Sequence, residues 1–81
     1  MKIEIITPDK KIYEGDIKSV RVPGTKGSFQ VLKDHAPIIS TLEKGPVIIV
    51  DQAGVEIRYE IISGVIEVKA NKIILLADSV K

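Results

Sequence analysis

Few residues of this chain could carry chemistry. His35 is the single histidine and there is no cysteine. A histidine-based metal site would have at most one imidazole, and thiolate ligands, cysteine nucleophiles and disulfides are excluded together. Ser28, Ser40 and Ser63 lack a G-x-S-x-G setting, and any Ser-His-acid triad would have to use His35. Most carboxylates alternate with apolar residues, as Glu56 and Glu60 do around Ile57 and Tyr59, which places them on wet strand faces. Gly24 and Gly27 lack the strand-to-helix setting of a phosphate cradle. Lys72, beside Asn71, is the nearest candidate for the lysine of a swinging-arm carrier, and it lacks a flanking methionine. An enzyme reading therefore fares badly, and no metal, nucleotide or cofactor is expected. By elimination the composition supports a small binding or structural module.

The most distinctive stretch is Pro23 to Pro37. It holds the only phenylalanine and the only histidine in a chain otherwise rich in Ile, Val and Lys. Gly24 and Gly27 allow the backbone to reverse. Pro23 and Pro37 cannot donate to a sheet ladder, so each marks a strand end or an edge. Between the reversals Phe29-Gln30-Val31 reads as a short strand. The stretch is either a contact surface carried on loops or a tight sandwich corner. His35, at the mouth of the next strand, satisfies loop backbone groups or lies at a contact surface.

The elements that must position these residues are strands. With 81 residues, the chain is expected to be one domain, residues 1–81. A domain of this size buries roughly 60–65% of the surface its unfolded chain exposes, which leaves little room for a deep pocket. The net charge is +1, with both signs interspersed. No basic block points to nucleic acid, and the aromatics Tyr13, Phe29 and Tyr59 do not line a basic groove. No apolar run approaches the roughly 18 residues of a transmembrane helix, so no direct membrane insertion is expected. Met1-Lys2-Ile3-Glu4 is too short and too charged for a signal peptide.

Ile3 and Ile5 alternate with Lys2 and Glu4, the period of a half-buried strand. Thr7-Pro8-Asp9-Lys10 is turn chemistry. Lys11 to Glu14 resumes the strand, and Gly15-Asp16 is read as a break before Ile17 to Val22. In that piece Lys18, Val20 and Val22 are expected on one face and Ile17, Ser19 and Arg21 on the other. Ala36 to Leu42 is apolar on both faces, as for a strand covered on two sides. Glu43 to Pro46 and Asp51 to Gly54 are turns around Val47 to Val50. Val55, Ile57, Tyr59 and Ile61 define a buried face opposite Glu56, Arg58 and Glu60. Val65 to Lys69, a turn at Ala70-Asn71 and Lys72 to Ala77 complete the series, with Asn71 suited to a hairpin. No window shows helical spacing. Short strands with turn signals every several residues imply a small antiparallel β-sandwich or barrel. Val20, Ile57, Tyr59, Ile61, Ile66 and Val68 are the expected core.

Taken together, these residues resemble a family, the epsilon subunits of F-type ATP synthases. The matching pieces run in order through the chain: Ile6-Thr7-Pro8, Tyr13-Glu14-Gly15, Val20 to Gly24, Gly27 to Leu32, His35-Ala36-Pro37-Ile38, Gly45-Pro46-Val47, Ser63-Gly64, Ile66-Glu67-Val68 and Leu75-Leu76-Ala77-Asp78. The Pro-Gly-Thr-x-Gly-x-Phe-x-Val-Leu-x-x-His-Ala-Pro series is the most specific. The resemblance implies an all-β sandwich of about ten short strands in two sheets. It implies a non-catalytic rotor subunit of the central stalk that links the gamma subunit to the c ring and supports coupling of proton flow to ATP synthesis. The chain would be a monomer in isolation and one copy per complex, held at the cytoplasmic face of a bacterial plasma membrane.

By the same resemblance Gly27, Ser28, Phe29, Gln30, Lys33, Asp34, His35 and Ala36 would face the c ring, and Thr7, Ser40 and Leu42 would face gamma. Ser28, Gln30 and Lys33-Asp34 depart from the family's frequent acidic residue, glycine and Pro-Gly at those places, which alters the charge pattern toward the ring. Most members continue into two antiparallel helices after the segment matching Leu75 to Asp78. Over the 81 residues no C-terminal helical domain is expected, and with it no inhibitory or ATP-binding element. The reading from another class is an unrelated β-sandwich adaptor or ligand-binding module, with a small β-fold hydrolase third.

Overall fold

The computed structural model describes residues 1–81. It contains eight strands and no helix: β1 Lys2–Ile6, β2 Lys11–Val22, β3 Phe29–Leu32, β4 Ile38–Leu42, β5 Gly45–Asp51, β6 Glu56–Ile61, β7 Gly64–Lys69 and β8 Lys72–Ala77. The hydrogen-bonded path runs β4-β7-β8-β1-β2-β5-β6, with β3 paired to β2. The path folds on itself through β2. Its first half pairs with β1 in one sheet, and its second half pairs with β3 and β5 in the other.

The strand count is eight against about ten, and one strand of that difference lies in β2. Gly15-Asp16 does not break the chain, because Gly15 pairs with Ile3 and Asp16 with Lys2. The change of sheet comes just after, where Ile17 pairs with Asp51 and Ser19 with Val50. Lys18 is the extra residue of a β-bulge, which bends and twists a strand. The bulge also corrects the expected faces. One inserted residue brings Ile17 into phase with Val20 and Val22, so all three are buried while Lys18 and Arg21 are exposed. One pairing departs from the antiparallel rule: β1 and β8 run parallel, Ile3 beside Ile73 and Ile5 beside Leu75.

One core fills the space between the sheets. Ile3, Ile5, Leu42, Ile66, Val68, Ile73, Leu75 and Ala77 enter it from one side, and Ile17, Val20, Val22, Val31, Val47, Ile49 and Ile61 from the other. Of the residues expected in the core, Val20, Ile61, Ile66 and Val68 are buried, whereas Ile57 and Tyr59 are only half-buried; Val55, expected on the same face, is exposed. Ile57 and Tyr59 lie on β6, an edge strand, and Val55 stands just before it. β4 is an edge strand too. Its Ile39 is 71% exposed, so the expected cover on both faces is not supplied by this chain.

The turns follow their chemistry. Asp51 Oδ1 accepts the backbone N–H groups of Ala53 and Val55, both at 2.9 Å, and Gly54 takes φ 84°. Ala70 and Asn71 close the β7–β8 hairpin at φ 51° and 61°. Two left-handed residues between paired Lys69 and Lys72 match the twist of the strands they join.

Candidate functional site

The residues expected to face the c ring do not form one loop. They lie along β3, an edge strand, and in the turns at its two ends. Four residues of strand separate those turns by about 10 Å. At one end Gly27 and Ser28 are exposed and Phe29 is half-buried, its ring packed over Gly24. The Thr25 N–H donates to the Thr41 carbonyl at 3.1 Å, and the two threonine hydroxyls meet at 2.8 Å, which ties this turn to β4. In the middle, Gln30 is exposed beside Arg21 on β2.

At the other end Lys33, Asp34 and Ala36 are exposed and His35 is half-buried. The His35 N–H donates to the Leu32 carbonyl at 3.1 Å, and its Nδ1 donates to the Ala36 carbonyl at 2.7 Å. The imidazole thus satisfies loop backbone. The chain contains no group of three His, Asp or Glu side chains placed to hold a metal ion.

Two residues of this end were not among those expected. Leu32 is 53% exposed, an apolar side chain set among polar ones. Its alternation with buried Val31 was the available signal. Asn71, from the β7–β8 turn, reaches Asp34 across 37 positions of sequence, and no local pattern announces that.

A second surface lies on the outer face of the sheet formed by β4, β7, β8 and β1. Thr41 pairs with Val65, Val65 with Leu76, and Leu76 with Ile6, so their side chains share one row. Ile39 and Ile74 form the next row across Glu67. Val65 is 39% exposed and Leu76 51% exposed. Beside them a shallow depression of about 600 Å³ is lined by Ile6, Thr7, Pro8, Thr41, Leu42 and their neighbours on β7 and β8.

Of the residues expected toward gamma, Thr7 and Leu42 meet at this depression. Leu42 is only 3% exposed, so its side chain belongs to the core and little of it is presented at the surface. Thr7 is half-exposed, its hydroxyl donating to the Lys10 carbonyl at 3.1 Å. Ser40 lies apart, in the groove between β4 and the Thr25–Ser28 turn.

The charged side chains are solvated. Glu14 is held below the usual carboxylate range by its hydrogen bond from Lys11 at 3.1 Å, by the same lysine's charge and, more weakly, by Lys2. Glu67, Lys69 and Lys72 line one shallow depression on the outer sheet face, beside Ala70 and Ile74. The fold and its surfaces define a β-sandwich with an exposed edge strip and an uncovered apolar face.

The comparisons agree with that class. The family model described as ATP synthase, Delta/Epsilon chain, beta-sandwich domain matches residues 1–81. The ATP synthase epsilon chain of Chlorobaculum tepidum is 42% identical over 78 residues, covering 96% of this chain and 89% of that one. The epsilon chain of Salinibacter ruber is 37% identical over 89 residues, covering all of this chain and 60% of that one. A chain of the Euglena gracilis mitochondrial ATP synthase, in a structure of its OSCP, F1 and c ring, superposes with a TM-score of 0.92 at 16% identity. It covers 98% of this chain and 51% of its own. A chain of the Tetrahymena thermophila central stalk and c ring gives 0.85 at 16% identity, covering 100% and 65%. This chain thus spans half to two thirds of both solved chains and of the Salinibacter relative. It belongs to the family of the ATP synthase delta/epsilon chain β-sandwich domain.

Proposed function

We propose that this chain is a non-catalytic rotor subunit of a bacterial F-type ATP synthase, joining the gamma subunit to the c ring and supporting the coupling of proton flow to ATP synthesis. The observation that carries the reading is the family match over all 81 residues. The two surfaces are its physical counterpart. The β3 strip, with Gly27, Ser28, Phe29, Gln30, Lys33, Asp34, His35 and Ala36, presents mostly polar side chains and an open strand edge suited to polar loops, and we assign it to the c ring. The apolar face around Val65 and Leu76, with Thr7 at its rim, needs cover from an apolar partner, and we assign it to gamma. On this reading the chain sits at the cytoplasmic face of the plasma membrane as one copy per complex.

The test is reconstitution. Gamma and the c ring should co-purify with the tagged chain, and vesicles carrying the enzyme should lose proton-driven ATP synthesis when the chain is omitted. Lys33→Glu should weaken docking to the ring while leaving the unfolding free energy within about ±0.5 kcal/mol. Normal ATP synthesis without the chain would overturn the reading.

A further inference from the structure

The turn after β3 carries a contact that leaves it. The Asp34 N–H donates to Asn71 Oδ1 at 2.7 Å, and Asn71 Nδ2 donates back to Asp34 Oδ1 at 3.0 Å. The other hydrogen bonds of residues 33–37 are local: His35 N–H to Leu32 and His35 Nδ1 to Ala36. Asp34 stands at φ 65°, a left-handed conformation that L residues adopt at a cost. Aspartate tolerates it better than most, and here its backbone and its carboxylate are both held by one amide. The far side of the clasp is anchored twice. Asn71 lies in the tight turn of the β7–β8 hairpin, and its carbonyl accepts the Lys2 N–H at 3.0 Å.

We infer that Asn71 is a positioning residue for the c-ring-facing turn: it fixes Asp34, and through it Lys33 and His35, in one arrangement before the partner arrives. This rests on the docking role proposed above for the β3 strip. Lys33 and His35 are the chain neighbours of Asp34, so locking its backbone sets the directions in which both project. A turn ordered during folding need not be ordered again at docking, and such preorganisation raises affinity without adding a contact to the partner.

The test uses four forms of the chain. Asn71→Gly keeps a residue able to hold the left-handed turn and removes the amide. Asn71→Asp sets two carboxylates against each other. The double variant D34N/N71D reverses the pair, so that the amide now donates from position 34 to a carboxylate at 71. Order at residues 33–35 is read from ¹⁵N relaxation and from amide exchange at 34 in the isolated chain. Docking is read as the affinity of the gamma-bound chain for the purified c ring, with gamma alone as reference.

Asn71→Gly and Asn71→Asp should lose order at 33–35 and bind the ring about five- to tenfold more weakly, the scale set by one net hydrogen bond of about 1 kcal/mol. The reversed pair should return to within about twofold of wild type, which a merely structural loss at position 71 would not do. Wild-type docking by Asn71→Asp despite a disordered turn, unchanged order in that variant, or no rescue by the reversed pair would each overturn the inference. If the wild-type chain adds nothing to gamma alone, the docking role itself is wrong, and the positioning role falls with it.

Discussion

The Phe29 ring fills the space that a side chain on Gly24 would need. A Cβ on Gly24 would stand 2.9 Å from Phe29 Cε1 and 2.6 Å from the carbonyl oxygen of Gly27. The ring could swing aside, but the carbonyl belongs to the turn itself, whose Gly27 N–H donates to Gly24 O at 2.9 Å. Gly24→Ala should therefore push the Thr25–Ser28 turn outward and destabilise the domain by about 1–3 kcal/mol, the range of overpacking. Urea unfolding would measure the loss. Alanine at exposed Gly54, which meets nothing within 4 Å, should leave Phe29 chemical shifts unchanged and show only the strain of φ 84°. Equal ring shifts in both variants would argue against the steric account.

Ile61 and Ile39 are the same side chain in opposite settings. Ile61 lies in the core and Ile39 stands free on the β4 edge. Ile61→Ala should cost about 2–5 kcal/mol by lost burial and the cavity left behind. Ile39→Ala should stay within about ±0.5 kcal/mol in the isolated chain. Comparable losses would mean that the core is drawn in the wrong place.

Tyr59 gives the domain a pH dependence on the alkaline side. Burial raises its pKa above the usual 10.0, and the nearby Tyr13 phenolate adds to the effect. The folded chain thus holds the phenolic proton more tightly than the unfolded one. The stability this contributes is fully present below about pH 10 and is lost as the pH climbs through the raised value. Tyr59→Phe cannot titrate, so its unfolding free energy should fall less than that of wild type between about pH 8 and pH 11. Parallel declines would show that Tyr59 is not the group involved.

Alternation made most of the sandwich legible. Ile3 and Ile5, Ile66 and Val68, and Ile73 and Leu75 each mark a strand with one buried face. The pattern failed where a single residue changes the phase: Lys18 bulges out of β2, and Ile17 moves to the face of Val20 and Val22, while Ser19 keeps the face expected for it. It also failed at the edges. Ile38-Ile39 reads the same whether the second face is covered by this chain or left open, because hydropathy records an apolar side chain and not which molecule covers it. The β3 strip was legible from its prolines, glycines and lone aromatic. The clasp on Asp34 was not, because its partner lies 37 positions away at a hairpin turn chosen for φ.

The open apolar face yields the last prediction. Leu76 lies between Val65 and Ile6 in one row of the outer sheet face, about half exposed, with its backbone paired on both sides. A charge at this position still reaches water in the isolated chain, so Leu76→Glu should cost only about 1 kcal/mol, the burial lost by a half-covered leucine. In the rotor the same carboxylate would be buried against an apolar partner without a counter-charge, which is strongly unfavourable. Loss of gamma in pull-down from a chain that stays folded is therefore expected. Leu76→Met, close in volume and apolar, should retain gamma, which separates the chemistry of the face from its shape. The contrast also distinguishes the two surfaces. Lys33→Glu on the β3 strip should spare gamma and weaken the c ring, whereas Leu76→Glu should release gamma first. If Leu76→Glu holds gamma as tightly as wild type, the face is covered by something else, and the assignment of gamma must move to another part of the sandwich.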